Sequence, residues 1–253
     1  MASLQDRMTR RFGPGVRSWL DGVDALVAGL CRDWGLEVVR PLSGGTSHAL
    51  MCTRGGEPVV LKVTPEPAIS VQEHAALRAW EPSPRMVRVL RADPARGALL
   101  LEGLVPGTPA ADGPGLADVL RALHVAPPEG FPPLHERVDF VFDVLRRRHP
   151  GDHDAAHAKA AALARDRVAA TLLHGDLHFG NVLDAGERGL VAIDPRPCVG
   201  DPASDAVDFA YASPDLCDGI ERWSAVVDGD RLAAWCEVFA GFFPDHPSVA
   251  GGR

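Results

Sequence analysis

Near Leu104 the 253-residue chain changes texture. Before that point, short extended stretches alternate with turn chemistry. Residues 36–42 alternate apolar and polar, Ser43-Gly44-Gly45-Thr46-Ser47 turns, 49–53 resumes, Arg54-Gly55-Gly56-Glu57-Pro58 turns again, and 59–63 is a β-branched run. This spacing predicts a three-strand meander. A helix is expected over 69–80, ended by Glu81-Pro82 and Pro84, and residues 86–91 and 98–104 are expected to pair as a hairpin. Beyond Leu104, Val105-Pro106-Gly107-Thr108-Pro109 through Gly113-Pro114-Gly115 is a Pro- and Gly-rich connector. Helical periodicity then dominates, over 116–124, 136–148, 155–170, 220–227 and 231–243, with strand-like stretches at 171–173, 182–183 and 190–193. The expectation is an α+β, bilobal chain: a β-rich lobe over 1–104, a larger helical lobe over 105–253, and a cleft where they meet.

Composition narrows the class. With 46% hydrophobic and 24% charged residues, disorder and fibrous repeats are excluded. The longest apolar run, 25–31, is far short of the roughly 20 residues a bilayer span needs, and residues 1–14 are too polar for a secretory signal, so the reading is cytoplasmic with no membrane partner. Five scattered cysteines without a CxxC favour neither a disulfide framework nor a zinc knuckle. The net charge of −8 is uneven, +2 over 1–104 and −10 over 105–253, so the second part should repel nucleic acid and attract cations, although acidity also serves solubility.

The chemistry concentrates in His174-Gly175-Asp176-Leu177-His178-Phe179-Gly180-Asn181 and in Ile193-Asp194-Pro195, each following an expected strand. Loops at strand ends hold side chains exposed yet fixed. Phosphoryl transfer from ATP requires a carboxylate to take the acceptor's proton, and oxygen ligands for magnesium. Asp176 is the candidate base, and Asn181, the chain's single asparagine, and Asp194 are the candidate Mg2+ ligands. Upstream, Lys62, one of two lysines, ends the strand Val-Val-Leu-Lys-Val, and Glu73 follows 11 residues later on the expected helix. A Lys–Glu pair of this kind holds ATP phosphates, and Ser43, Gly44, Gly45, Thr46 and Ser47 could lay amides and hydroxyls over them, although a plain hairpin loop fits that stretch equally. Two bland motifs compete: His149, His153 and His157 recur every four residues, and His174-x-Asp176-x-His178 could be read as ligands of a metallohydrolase. The second reading leaves Lys62, Glu73 and Asn181 without a role.

Taken together, VVLKV, the Gly-rich turn, LLLEGLVPGTP, LLHGDLHFGNVL, AIDP and GDPASDAVDFA resemble the aminoglycoside phosphotransferase superfamily, in particular its streptomycin 6-phosphotransferase and hydroxyurea phosphotransferase branch, over residues 36–209. The resemblance implies a protein-kinase-like fold. It also implies Asp176 as base, Asn181 and Asp194 on Mg2+, Lys62 on phosphate, His174 and Asp205 bracing the loop, and backbone groups from Glu102 to Leu104 against adenine. SGGTSH lacks the full GxGxxG, and Pro195-Arg196 stands where a protein kinase has Phe-Gly, which argues against a protein kinase. The chain ends at Arg253, where family members often continue, so the acceptor pocket is expected to be open, reduced or specific for another compound. The implied partners are ATP and a small cationic hydroxylated acceptor, an aminoglycoside such as streptomycin, on a monomer that confers resistance. Asp201, Asp215, Asp218 and Glu221 are candidate carboxylates for that acceptor. Hydroxyurea, another antibiotic class, a metabolite such as an amino alcohol, or nucleotide binding without catalysis are the alternatives.

Overall fold

A computed structural model describes residues 3–43, 46–113, 115–149 and 151–250. The chain divides into two compact units, one of residues 1–81 and 87–107, the other of 82–86 and 108–253.

The first unit starts with two helices, α1 (Leu4–Phe12) and α2 (Arg17–Trp34), in a region for which the sequence reading assigned no element. Their signals are local. Ser3 and Asp6 form a reciprocal capping box, with Asp6 N–H donating to Ser3 Oγ and Ser3 N–H to Asp6 Oδ2. On α2, Val23, Leu30 and Trp34 recur on one buried face. The sheet follows: β1 (Glu37–Pro41), β2 (His48–Arg54), β3 (Glu57–Val63), the helix α3 (Pro67–Ala79), then β4 (Val89–Asp93) and β5 (Ala98–Glu102). All neighbours are antiparallel in the order β1-β2-β3-β5-β4. Gly55 and Gly56, at φ 60 and 88, close the β2–β3 hairpin in a conformation that side-chain-bearing residues resist. That turn sets the register, with Leu50 opposite Leu61 and Cys52 opposite Val59. Val59, Leu61 and Val63 then join Val23, Leu30, Trp34, Leu50, Cys52 and Leu100 in one apolar cluster.

The expected strand over 86–91 begins instead at Val89, because the wholly buried Met86 bridges to Ala192 in the second unit's sheet.

The second unit is mainly helical: α4 (Gly115–Leu123), α5 (Leu134–Arg148), α6 (Asp154–Leu163), α7 (Val207–Ala210), α8 (Leu216–Trp223), α9 (Gly229–Phe239) and α10 (Pro247–Ala250). Between α6 and α7 run β6 (Thr171–Leu173), β7 (Val182–Asp184), β8 (Leu190–Ala192) and β9 (Cys198–Gly200). These make two antiparallel ladders, β6 with β9 and β7 with β8. The helix expected over 155–170 stops at Leu163, and β9 is an element that sequence reading missed. Phe209 of α7 stacks on Trp223 of α8 and anchors their packing, while within α9 Trp235 stacks on Phe239 one turn later. Among the described residues no helix is long and apolar enough to cross a membrane.

Candidate active site

Lys62 sits between Leu61 and Val63, both wholly buried toward the apolar cluster, so the pleat turns it to the opposite face of β3. There its Nζ donates to Glu73 Oε1 of α3 at 2.5 Å. Lys62 is 7% and Glu73 3% exposed, so the pair is nearly sealed from water, and the two charges compensate one another. Thr46, Ser47, Thr64 and Ser70 line a small cavity together with this pair. Ser43 is exposed, and Gly44 and Gly45 lie outside the described residues. At the end of β5, Glu102 N–H donates to Arg88 O at 3.0 Å and Gly103 N–H to Pro58 O at 3.0 Å, so two amides of the expected adenine segment are already engaged.

In the second unit, the strand ends bring His174, Asp176, Asn181, Asp194 and Asp205 into one network. Gly175 takes φ 73, and a Cβ there would stand 2.0 Å from Arg196 O, so the turn into Asp176 demands glycine. Asp205, which follows β9 in the 3₁₀ turn Pro202–Ala206, accepts from His174 N–H at 2.7 Å and Gly175 N–H at 2.9 Å. Burial alone would raise the pKa of this carboxyl; His124, His174 and the Gly175 amide outweigh it and hold it below the usual carboxylate value. The His174 ring is wholly buried. Its Nδ1 accepts from Asp176 N–H at 3.3 Å, which puts the ring proton on Nε2, facing Ile193 O at 2.9 Å. Burial pushes its pKa down, and both ring nitrogens are spent inside the loop rather than offered to a metal.

Asn181 Nδ2 donates to Asp176 O at 2.8 Å, leaving the amide oxygen as the end suited to a cation. Ile193 N–H donates to Asn181 O at 2.9 Å, which ties the next turn to the first. Asp194 adopts φ 61, the one described non-glycine residue in the left-handed region, and Arg196 Nη2 lies 3.6 Å from its Oδ1. Backbone held there costs about 1–3 kcal/mol and clusters where a side chain must be aimed. An amide oxygen and a carboxylate are hard donors of the kind magnesium prefers, so these residues fit that ion.

Sequence reasoning missed Arg137 of α5. Its Nη2 donates to Asp176 Oδ1 at 2.8 Å and its Nε to Gly175 O at 2.7 Å. The available signal was an arginine set against the buried stripe Leu134, Val138, Phe142 and Leu145. Asp208 of α7 was also overlooked; its side chain reaches solvent, yet partial desolvation, with Asp176 and Asp205 adding to it against His178, raises its pKa to about 6. Asp201 needs correction as an acceptor contact. It is 3% exposed and saturated by Arg231 Nε, Trp235 Nε1 and Ala203 N–H, because it braces α9. Asp215 caps α8 through Cys217 N–H, while Asp218 and Glu221 are exposed on that helix.

In sequence and in fold the chain is similar to known proteins. Residues 34–241 match the family described as aminoglycoside/hydroxyurea antibiotic resistance kinase. A hydroxyurea phosphotransferase of Kitasatospora aureofaciens is 37% identical across 92% of this chain and 76% of its own length. A streptomycin 3''-kinase of Klebsiella pneumoniae is 34% identical across 81% of this chain and 79% of its own. Among solved structures, choline kinase LicA from Streptococcus pneumoniae superposes with a TM-score of 0.67 at 14% identity, over 91% of this chain and 92% of that one, and so shares the protein-kinase-like fold. The chain belongs to the aminoglycoside/hydroxyurea antibiotic resistance kinases, and it is a phosphotransferase with a hydroxyl group as acceptor.

Proposed function

We propose that this protein is an ATP- and Mg2+-dependent kinase that phosphorylates a hydroxyl of a small cationic antibiotic, an aminoglycoside such as streptomycin, and so confers resistance. The observation that carries this reading is the loop geometry: Asp176 presents a carboxylate on a turn whose neighbours, Asn181 and Asp194, offer oxygen ligands. In the division of labour we propose, residues 1–104 bind the nucleotide and 105–253 supply the catalytic loop and the acceptor site.

Lys62, held by Glu73, contacts the phosphates and offsets their charge. The Leu104 amide is assigned to adenine, since those of Glu102 and Gly103 are engaged elsewhere. Asp176 orients the acceptor hydroxyl and takes its proton as the new O–P bond forms and the bond from the γ-phosphorus to the bridging oxygen breaks, releasing ADP. Asn181 and Asp194 would hold Mg2+, which would neutralise charge developing on the transferred phosphoryl group. Asp218 and Glu221 are assigned to the acceptor's ammonium or guanidinium groups.

Asp176→Asn should bind Mg-ATP nearly as the parent does, yet turn over about 10²- to 10⁴-fold more slowly. Isothermal titration and ADP release measure the two quantities, and full turnover would remove the base assignment. Identity to the hydroxyurea phosphotransferase supports a second acceptor. Mass spectrometry of products from streptomycin and hydroxyurea decides between them: a phosphorylated hydroxyurea with unmodified streptomycin would favour the second.

A further inference from the structure

Asp176 does not stand alone on its loop. Arg137 reaches it from α5, 39 residues earlier in the chain. Its Nε and Nη2 lie along one edge of the planar guanidinium and take different partners, Gly175 O at 2.7 Å and Asp176 Oδ1 at 2.8 Å. Two bonds from one rigid plane fix an orientation that a single bond would leave free. The Phe140 ring, 5.2 Å from the guanidinium carbon, packs against the same group.

The two partners differ in burial. The Arg137 side chain is 16% exposed, that of Asp176 41%. The cation is therefore part of the scaffold and the carboxylate is what it presents. An aspartate this exposed would otherwise rotate among several rotamers, each pointing its oxygens differently. Oδ1 is the oxygen engaged by Arg137, and Oδ2 is the other one of the carboxylate. We propose that Arg137 is a positioning residue: it selects Oδ2 of Asp176 as the proton acceptor and fixes the direction from which the substrate hydroxyl must approach. This rests on Asp176 being the base. A lysine could keep the charge but reach only one of the two oxygens at a time.

The test compares Arg137→Ala, Arg137→Lys and Arg137→Met with Asp176→Asn. For the arginine variants, kcat should fall about 10- to 100-fold, the scale on which small misplacements of a catalytic group act. KM for ATP should stay within about threefold, because Arg137 serves the proton acceptor and not the nucleotide. Added guanidinium chloride at tens of millimolar should restore part of kcat in Arg137→Ala, and nothing in Asp176→Asn. If Arg137→Ala does not fold, Arg137→Met keeps the buried stem and carries the kinetic test. A folded Arg137→Met or Arg137→Ala with kcat within about twofold of the parent overturns the inference. So does a loss of melting temperature with no loss of kcat, or a kcat loss in Arg137→Ala that guanidinium does not relieve, since either marks a structural role alone. An active Asp176→Asn would instead sink the base assignment beneath it, so the two failures are distinguishable.

Discussion

Asp205 carries a load that can be isolated by changing one atom. In Asp205→Asn the side chain keeps its volume, so no cavity contributes. The carboxylate accepts two backbone N–H groups, from His174 and Gly175, on separate oxygens. The asparagine oxygen can keep one of them. Its NH2 must then face the other amide, donor against donor. A hydrogen bond to a charged acceptor contributes about 1.5–3 kcal/mol, and roughly half of that when the acceptor is neutral. One bond lost and one weakened amount to about 2–4 kcal/mol. Relief from burying a charge opposes this, but it loses: in the fold the carboxyl's pKa lies below its ordinary value, so the site prefers the ionised form despite its burial.

For a chain of this length, that deficit should lower the melting temperature by about 4–16 °C near neutral pH. The pH dependence supplies a second check. A carboxyl depressed in the fold stabilises above its unfolded pKa near 3.8, and that stability is lost as pH falls through the lower folded value. The gap between parent and variant should therefore be full at pH 7 and shrink toward strongly acid conditions. Thermal melts followed by circular dichroism across that range read both effects. A variant that melts within about 1 °C of the parent at pH 7, or a gap that ignores pH, would refute this account of the brace.

Two further outcomes follow from the same geometry. Gly175→Ala forces an L-residue into φ 73 with its Cβ 2.0 Å from Arg196 O, so the loop must shift; a conformational penalty of about 1–2 kcal/mol plus the clash should show as a lower melting temperature and a lower kcat, and parental values of both would contradict it. Acidification should destabilise the protein: burial lowers the pKa values of His48, His74 and His174, so the unfolded chain binds protons the fold refuses as pH drops through about 6.5. Asp208, raised to about 6, acts in the opposite sense, the fold taking its proton first, but it is one group against three. Urea midpoints near pH 7.5 and 5.5 measure the balance, and an equal or higher midpoint at the lower pH would contradict it.

What could be read from the chain alone was whatever is encoded locally. The β2–β3 hairpin follows from alternation around Gly55-Gly56, and the Lys62–Glu73 pair from a rare lysine on a strand with a helical glutamate soon after it. The helices α1 and α2 are equally local, in a capping box and a 3.6-residue stripe, but the apolar run inside α2 masks that stripe's periodicity. Arg137 and Asp201 were illegible for a different reason. Each is defined by partners dozens of residues away, Asp176 in one case and Arg231 with Trp235 in the other, and nothing in the flanking sequence distinguishes a buried brace from a solvated charge. Met86 failed likewise, its extended character being satisfied by a bridge to Ala192 instead of by the hairpin that its neighbours form.

The density of the motif around Asp176 has a physical origin in how its backbone is satisfied. Buried amides and carbonyls must find partners, and at the turn between β6 and the Phe179–Asn181 turn the ladder supplies none of them. His174 N–H goes to Asp205 and its carbonyl to Arg196 N–H. Gly175 N–H goes to Asp205 and its carbonyl to Arg137. Asp176 N–H goes to the His174 ring and its carbonyl to Asn181. All but one of these partners is a side chain. A loop whose polar backbone is held this way has a defined conformation only if each of those side chains is the right type. His174, Gly175 and Asn181 are therefore fixed by the need to present Asp176, whether or not they touch a substrate. That is why a short run of letters could announce the chemistry, while Arg137 and Asp205, which hold the same turn from other elements, had to be seen in three dimensions.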